Sequence, residues 1–327
     1  MRVEVEPFEA ARCWALSPGH AGMENQCLGL AERLGLPTRR LRLYPRAPWT
    51  WLPPGCWPAP ARALAPESDT IRPPWPELVI SCGRRAVPYG LLVKRLSGGR
   101  SFAVHIQDPR TRPARFDLVI APRHDHLAGA NVVETLGSLN RITQDRLAEA
   151  AARVAPELAH LPRPLVAVLI GGTSRAYRLT PEISRRLADE LAGLAESQGV
   201  GLAVTPSRRT GSENVHILRQ RLAPLPTAVF WNLEGENPYH GYLGLADHIV
   251  VTGDSTNLVS EAASTGKPVH VVELAGGNAK FAEFHESMRA AGYTRPFRVP
   301  LESWTYTPLD ETGRMAAKVR RRLAARG

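Results

Sequence analysis

Short apolar runs alternate along the chain with longer stretches in which apolar positions recur at helical spacing, the signature of β-α-β units that build a parallel sheet. Strands are expected near 12–16, 38–43, 77–81, 101–106, 116–121 and 131–135, and a second series near 164–170, 200–205, 226–231, 248–252 and 268–273. Between the helical stretch "TQDRLAEAAARVAPELAHL" and the strand "PLVAVLI" stands Pro162-Arg163-Pro164, which cannot continue a helix. The pattern predicts an α/β protein whose two halves share one architecture, divided at that connection.

Length agrees, because 327 residues exceed what one hydrophobic core usually covers, and two domains of roughly 150 residues are the natural reading. The expected division is residues 1–160, 161–310 and a C-terminal stretch 311–327, "DETGRMAAKVRRRLAARG" from 310 on, read as a helix with a basic end that could pack back on the first domain. Residues 44–76 break the alternation: they are crowded with proline and hold Trp49, Trp51, Trp57 and Trp75. They read as an excursion from the first domain, either a packed Trp/Pro cluster or a lipid-side loop.

Composition is that of a globular protein, and no apolar run approaches the roughly 18 residues that a membrane span needs. The start, "MRVEVEPFEAARCWAL", carries acidic residues and no apolar core of a signal peptide. Cys13, Cys27, Cys56 and Cys82 lack C-x-x-C spacing, which argues against a zinc site or a disulfide framework and for a reducing cytoplasm. The net charge of +10 would suit an anionic partner, yet only Lys94, Lys267, Lys280 and Lys318 among the 41 basic residues are lysines. Such a skew reflects coding bias as readily as selection for binding.

Candidate chemistry lies in three turns that follow expected strands and open helices, where free backbone N–H groups and the helix dipole favour an anion: "SPGHAGMENQ" (17–26), "IGGTSRAYRLTPE" (170–182) and "TGDSTNLVSEA" (252–262). In an open α/β sheet ligands bind at the carboxyl ends of the strands, where all three fall. None is a G-x-G-x-x-G or a P-loop, so neither a Rossmann dehydrogenase nor a P-loop nucleotidase is supported. In the third turn, Asp254, Ser255, Thr256 and Asn257 precede Glu261, a carboxylate two turns into the helix that could hold a ribose diol. A Glu on a solvated helix face is the plain alternative. Gly171, Gly172, Thr173 and Ser174 form the second turn, and Ser207, Arg208 and Arg209 of "TPSRRT" follow another strand, where guanidinium groups could clamp a diphosphate. His20 could serve as a general base, or merely hydrogen-bond its turn. Asp108 and His105 of "HIQDPR" are candidate acceptor contacts, and His124-Asp125-His126 lacks a second ligand set for a metal.

Together "SPGHAGMENQCLGLAERLG", "HIQDPR", "FDLVIAPRHDH", "NVVETLGSLNRIT", "LIGGTSRAYRLT", "TPSRRT", "ENPYHGYLGLADHIVVTGDSTNLVSEAASTGKPV" and "KFAEFHESMRAAG" resemble the bacterial members of the family named after a plant mitochondrial fission factor. The resemblance implies a GT-B-like α/β fold: two facing Rossmann-like domains with parallel sheets and a cleft between them, acceptor on the N-terminal side and nucleotide-sugar donor on the C-terminal side. By similarity to the enzyme that adds N-acetylglucosamine to a lipid-linked peptidoglycan precursor, Glu261 would hold the ribose, Ser255 and Thr256 the phosphates, and Gly171, Gly172 and Thr173 the diphosphate side. His20 would take the place of the acceptor-side histidine, although its turn lacks the longer glycine run. No metal or other cofactor is implied; Arg209 and Lys280 are the charges expected to meet the departing diphosphate.

The leading expectation is therefore a metal-independent transferase that takes a nucleotide-diphosphate sugar, UDP-linked by preference, to a lipid-linked or envelope acceptor. It would be cytoplasmic, in peripheral contact with an anionic membrane at its inner face, with no nucleic-acid partner. A membrane-surface adaptor without turnover and a nucleotide-sugar epimerase are the alternatives.

Overall fold

A computed structural model describes residues 10–326; residues 1–9, on which the reading of the N-terminal stretch partly rests, lie outside the described residues. The chain divides into two compact units, residues 1–141 with 310–327, and residues 142–309.

In unit 1, β1 (Cys13–Ser17), α1 (Ala21–Leu34), β2 (Thr38–Arg42), β3 (Leu78–Cys82), α2 (Val87–Leu96), β4 (Phe102–Ile106), β5 (Leu118–Pro122) and β6 (Val132–Thr135) give a parallel sheet in the order β2-β1-β3-β4-β5-β6. Its inner strands are buried on both faces, which is why they read as continuous apolar runs rather than alternating ones. The excursion between β2 and β3 folds as short 3-10 turns over one sheet face, where Trp14 meets Trp75 at 5.8 Å, Trp49 meets Trp57 at 6.1 Å and Trp57 meets Tyr89 at 6.0 Å. Trp51 stands apart from this packing with 79% of its surface exposed.

In unit 2, α3 (Gln144–Leu158), β7 (Leu165–Ile170), β8 (Tyr177–Arg178), α4 (Pro181–Gln198), β9 (Gly201–Pro206), α5 (Ser212–Leu222), β10 (Ala228–Phe230), α6 (Tyr239–Leu245), β11 (His248–Thr252), α7 (Thr256–Ala263), β12 (Val269–Val272), β13 (Ala275–Gly276), α8 (Ala279–Ala290) and β14 (Thr294–Pro296) follow in sequence. The parallel sheet runs β10-β9-β7-β11-β12-β14, and β8 and β13 form a separate antiparallel pair. α9 (Glu311–Ala324) then belongs to unit 1, where Met315, Ala316 and Val319 join the core beneath α1. Glu311 Oε1 accepts from Leu136 N at 2.7 Å and Thr312 Oγ1 from Asn140 N at 2.9 Å, fixing its start.

The division between units falls at 141/142, ahead of α3, and not at Pro162-Arg163-Pro164. The reason is close packing of α3 on α6. A Cβ at Gly241 would stand 2.5 Å from Val154 Cγ2, and one at Gly244 would stand 2.5 Å from Leu147 O.

Candidate functional site

Each sheet reverses its winding beside its first strand, between β1 and β3 in unit 1 and between β7 and β11 in unit 2. Such switch points open a crevice at the strands' carboxyl ends. In unit 2 the three central strands end there in β7–Gly171, β9–Ser207 and β11–Gly253.

These three turns are locked together. Gly171 N donates to Thr252 Oγ1 at 2.8 Å, and Thr252 Oγ1 donates to Asp254 Oδ1 at 2.7 Å. The Gly171 carbonyl accepts from both Ser207 Oγ and Thr210 Oγ1 at 2.6 Å. Thr173 N donates to Arg209 O at 3.1 Å. Arg209 Nη2 lies 2.8 Å from Asp254 Oδ2, whose side chain is fully buried, but Oδ2 takes no well-directed hydrogen bond. Only glycine fits at the contact: a Cβ on Gly171 would stand 2.3 Å from Asp254 Oδ1, and one on Gly172, whose φ is +150°, would stand 2.0 Å from Arg209 O.

Thus Gly171, Ser207, Arg209 and Asp254 converge, as sequence position suggested, but Asp254 is spent on the protein rather than turned to solvent. The second turn also departs from expectation. It does not open a helix, since α4 begins only at Pro181, after β8. Gly171, Gly172 and Thr173 therefore sit over the β7 end without a helix dipole behind them; Thr173 Oγ1 accepts from Leu179 N and Ser174 Oγ from Tyr177 N, closing the loop on itself.

The third turn does open a helix. Ser255 is the N-cap of α7, its Oγ accepting from Leu258 N at 3.4 Å, and Thr256 and Asn257 begin the first turn, half-buried. The N–H groups of that turn have no intrahelical acceptor and carry the positive end of the dipole. Glu261 lies six residues on from Ser255, about 9 Å along the axis. It is 9% exposed, and its Oε2 accepts from Tyr239 Oη at 2.6 Å. Burial pushes its carboxyl up to about 7, against the opposing hydrogen bond from Tyr239. The solvated-face alternative for Glu261 is thereby excluded. Tyr239, 22 residues upstream on α6, carries no sequence signal for this contact.

Beside Gly253, His285 of α8 donates from Nε2 to the Gly253 carbonyl at 2.8 Å, and burial holds its pKa low. A cavity of about 240 Å³ lies there, lined by Tyr177, Glu273, His285, Arg289 and Arg295 among others. Arg208 and Lys280 are exposed, Lys280 in the first turn of α8.

In unit 1 the first turn places His20 at the N-cap position of α1, exposed and making no side-chain capping bond. Gly19 needs its φ of +81° and its missing Cβ, which would stand 2.5 Å from Tyr44 Cε1. Behind it, Glu24 is buried with Arg42 Nε at 2.8 Å and Arg40 Nη1 at 3.2 Å. Burial pushes the Glu24 carboxyl up, but the two guanidiniums and Ser17 outweigh it and hold the group below the usual range. Sequence reading missed this cluster. Asp108 is half-buried and occupied by Arg110, whose N and Nε lie 2.8 and 3.0 Å from its two oxygens. His105 is not an acceptor contact: it is fully buried, stacked on Phe116 at 5.0 Å, with Nδ1 2.9 Å from Ser81 Oγ. Burial lowers its pKa to about 3, because the charged ring has no solvent or anion to meet it. Among the described residues no group of three or more His, Cys, Asp or Glu could hold a metal ion, and His124 is buried.

Two doubly wound parallel sheets in sequence define a chain of the GT-B fold, and solved structures of that fold are similar over nearly the whole length. UDP-GlcNAc 2-epimerase from Methanocaldococcus jannaschii superposes with a TM-score of 0.58 at 11% identity, covering 96% of this chain and 99% of that one. Os79 from O. sativa, solved in complex with UDP, gives 0.51 at 13% identity over 95% and 94%. A model of the mitochondrial fission ELM1 family matches residues 21–323, and the chain belongs to that family. The Arabidopsis thaliana protein described as mitochondrial fission protein ELM1 is 36% identical over 278 residues, 77% of this chain; the match spans 65% of the Arabidopsis protein, less than two thirds of its length. An uncharacterized protein of Rickettsia prowazekii is 25% identical over 280 residues, 74% of this chain and 78% of its own.

Proposed function

We propose that unit 2 binds a nucleotide-diphosphate sugar, UDP-linked by preference, and that the protein transfers the sugar to a hydroxyl of a lipid-linked or cell-envelope acceptor without a metal, working in the cytoplasm. The observation that carries this reading is Glu261: a buried carboxylate two turns below the N-terminus of α7, at the switch point of the sheet. Its two oxygens suit the paired hydroxyls of a ribose, while Ser255, Thr256 and the first-turn N–H groups of α7 suit the diphosphate. Arg209, half-exposed above Asp254, supplies a positive charge that can turn to the leaving group.

In the transfer, the acceptor O–H gives its proton to a base, the acceptor oxygen bonds to the anomeric carbon, and the bond from that carbon to the diphosphate oxygen breaks. The electron pair leaves with the nucleoside diphosphate. His20 is the base in this reading, being an exposed imidazole at the carboxyl edge of the unit 1 sheet. Asp108, held by Arg110, positions its loop on the same edge.

Thermal melts with UDP, GDP, CDP, ADP and TDP and their sugars test the donor site. A ligand at 100 times its Kd adds about 2.7 kcal/mol, which raises the melting temperature by roughly 5 °C or more. One nucleotide should stabilise the wild type and fail with Glu261→Ala; stabilisation by none, or equal stabilisation of the variant, overturns the assignment. Turnover of the donor with no acceptor present would identify an epimerase instead of a transferase.

A further inference from the structure

Unit 1 carries a second surface that sugar transfer does not use. The 3-10 turn at Trp49–Trp51 projects Trp51, 79% exposed, and Leu52, 40% exposed. A tryptophan so exposed is uncommon where the same segment packs its other indoles. Arg84 fixes the turn by donating from Nη2 to Thr50 O at 3.1 Å, which sets its guanidinium beside the turn; Arg85, the next residue, is exposed.

A groove of about 410 Å³ lies between residues 54–60 of the excursion and α2, with an apolar wall that includes Trp57, Pro60, Pro88, Leu91 and Leu92. Lys94, Arg95 and Arg115 rim it. Arg115 is anchored to Gly55 O at 3.2 Å, and Lys94 to Asp117 at 3.0 Å. Arg85 and Arg95 are exposed, and among the described residues no carboxylate pairs with either. Charge is segregated in the sequence too: residues 44–66 and 83–100 contain no Asp or Glu.

We propose that this face docks on an anionic phospholipid bilayer, with Trp51 and Leu52 seated at the acyl–headgroup boundary and Arg84, Arg85 and Arg95 on the lipid phosphates. An indole with an aliphatic neighbour on a convex turn matches the interfacial layer, where an amphipathic ring has an apolar body and a polar N–H to satisfy. Unpaired arginines around it add attraction to the negative surface potential, worth about fivefold in affinity for each residue near the surface. The groove wall offers aliphatic and prolyl carbon and no hydrogen-bonding side chain apart from the basic rim and the indole, which suits acyl chains and gives nothing to read a nucleic-acid base. The surface is independent of the donor site in unit 2.

The test is co-sedimentation of the full chain with vesicles of phosphatidylcholine alone and of phosphatidylcholine mixed with phosphatidylglycerol. The expected result is binding to the mixed vesicles only, weakened by salt, reduced about fivefold by Arg85→Ala and again by Arg95→Ala. Trp51→Ala should also release the protein, with unchanged melting temperature and unchanged nucleotide-induced shift. Brominated lipid should quench tryptophan fluorescence in the wild type and much less in Trp51→Phe. Equal binding to neutral vesicles, no binding to either, or wild-type binding by Trp51→Ala would overturn the proposal. So would competition by duplex DNA that the same arginine substitutions abolish, which would make the face a nucleic-acid surface.

Discussion

Arg209 reaches from the turn after β9 to bring Nη2 within 2.8 Å of Asp254 Oδ2, in the turn after β11. The acid is wholly buried and the guanidinium is half-exposed, so the pair ties two loops together while leaving Arg209 a face toward solvent.

Removing one partner of a fully buried pair typically costs about 3–5 kcal/mol, and an exposed pair contributes about 0–1 kcal/mol. Arg209→Ala should therefore cost roughly 1–3 kcal/mol in urea unfolding. Asp254→Asn keeps an acceptor for the Thr252 hydroxyl, and the double variant should show positive coupling. If Arg209 also meets a diphosphate, Arg209→Ala should weaken UDP binding more than uridine binding, read by calorimetry.

Glu261 makes both stability and ligand affinity depend on pH. Its folded pKa of about 7 stands above a glutamate's ordinary 4.5, so the folded state holds the proton more tightly. The stability this contributes is fully present below 4.5 and is lost as pH rises through about 7, on the order of 3 kcal/mol in all. Glu261→Gln should flatten that part of the pH profile and be more stable than the wild type at pH about 8. Nucleotide binding should run the other way, tightening from pH about 6 to about 8, because the ionised carboxylate accepts both ribose hydroxyls. A wild-type affinity that does not change over that range would remove Glu261 from the ribose role.

Tyr239→Phe removes the hydrogen bond that favours the Glu261 anion and should move the same midpoint upward. The displacement is read from the pH dependence of melting.

Gly172→Ala forces a methyl group to within 2.0 Å of the Arg209 carbonyl at a φ of +150°. Backbone cannot yield as a side-chain tip does, so a loss of about 1–3 kcal/mol or more is expected, with the donor turn displaced. Gly193→Ala on α4, where a Cβ meets nothing within 4 Å, is the matching control and should be neutral or stabilising.

His105 and His270 are buried in their neutral forms, their pKa values lowered by burial to about 3 and about 4 from a histidine's ordinary 6.5. Their contribution is present above 6.5 and lost as pH falls toward the folded values. His105→Leu leaves Ser81 Oγ its bond to Val104 O and should make the acid limb of the stability profile shallower.

Strand position was legible in the sequence because a buried parallel strand is a continuous apolar run, a local property; all eleven expected strands are present, within about two residues at their ends. β8 and β13, two residues each, carry no such run, and β14 is three residues ending in proline. The N-cap at Ser255 and the glycine before His20 were also local, so the turns at Ser17–Gln26 and Thr252–Ala262 were found. What lay beyond reach was which side chains meet and which way they face. His105 and Asp108 stand three residues apart, yet one belongs to the sheet interior and the other to a loop, because β4 ends at Ile106 between them. The same applies to Trp51 and Trp57: equal in composition, one is exposed and one packs on Tyr89.

The sequence by itself determined the α/β alternation, the family and the residues at the strand ends, since each is written in neighbouring positions. Only the tertiary structure decided that α3 joins unit 2, that Asp254 spends its carboxylate on Thr252 and Arg209, and that Tyr239 holds Glu261. The contact to Thr252 aside, these join segments tens of residues apart, and tertiary packing, not local propensity, brings them within hydrogen-bonding distance.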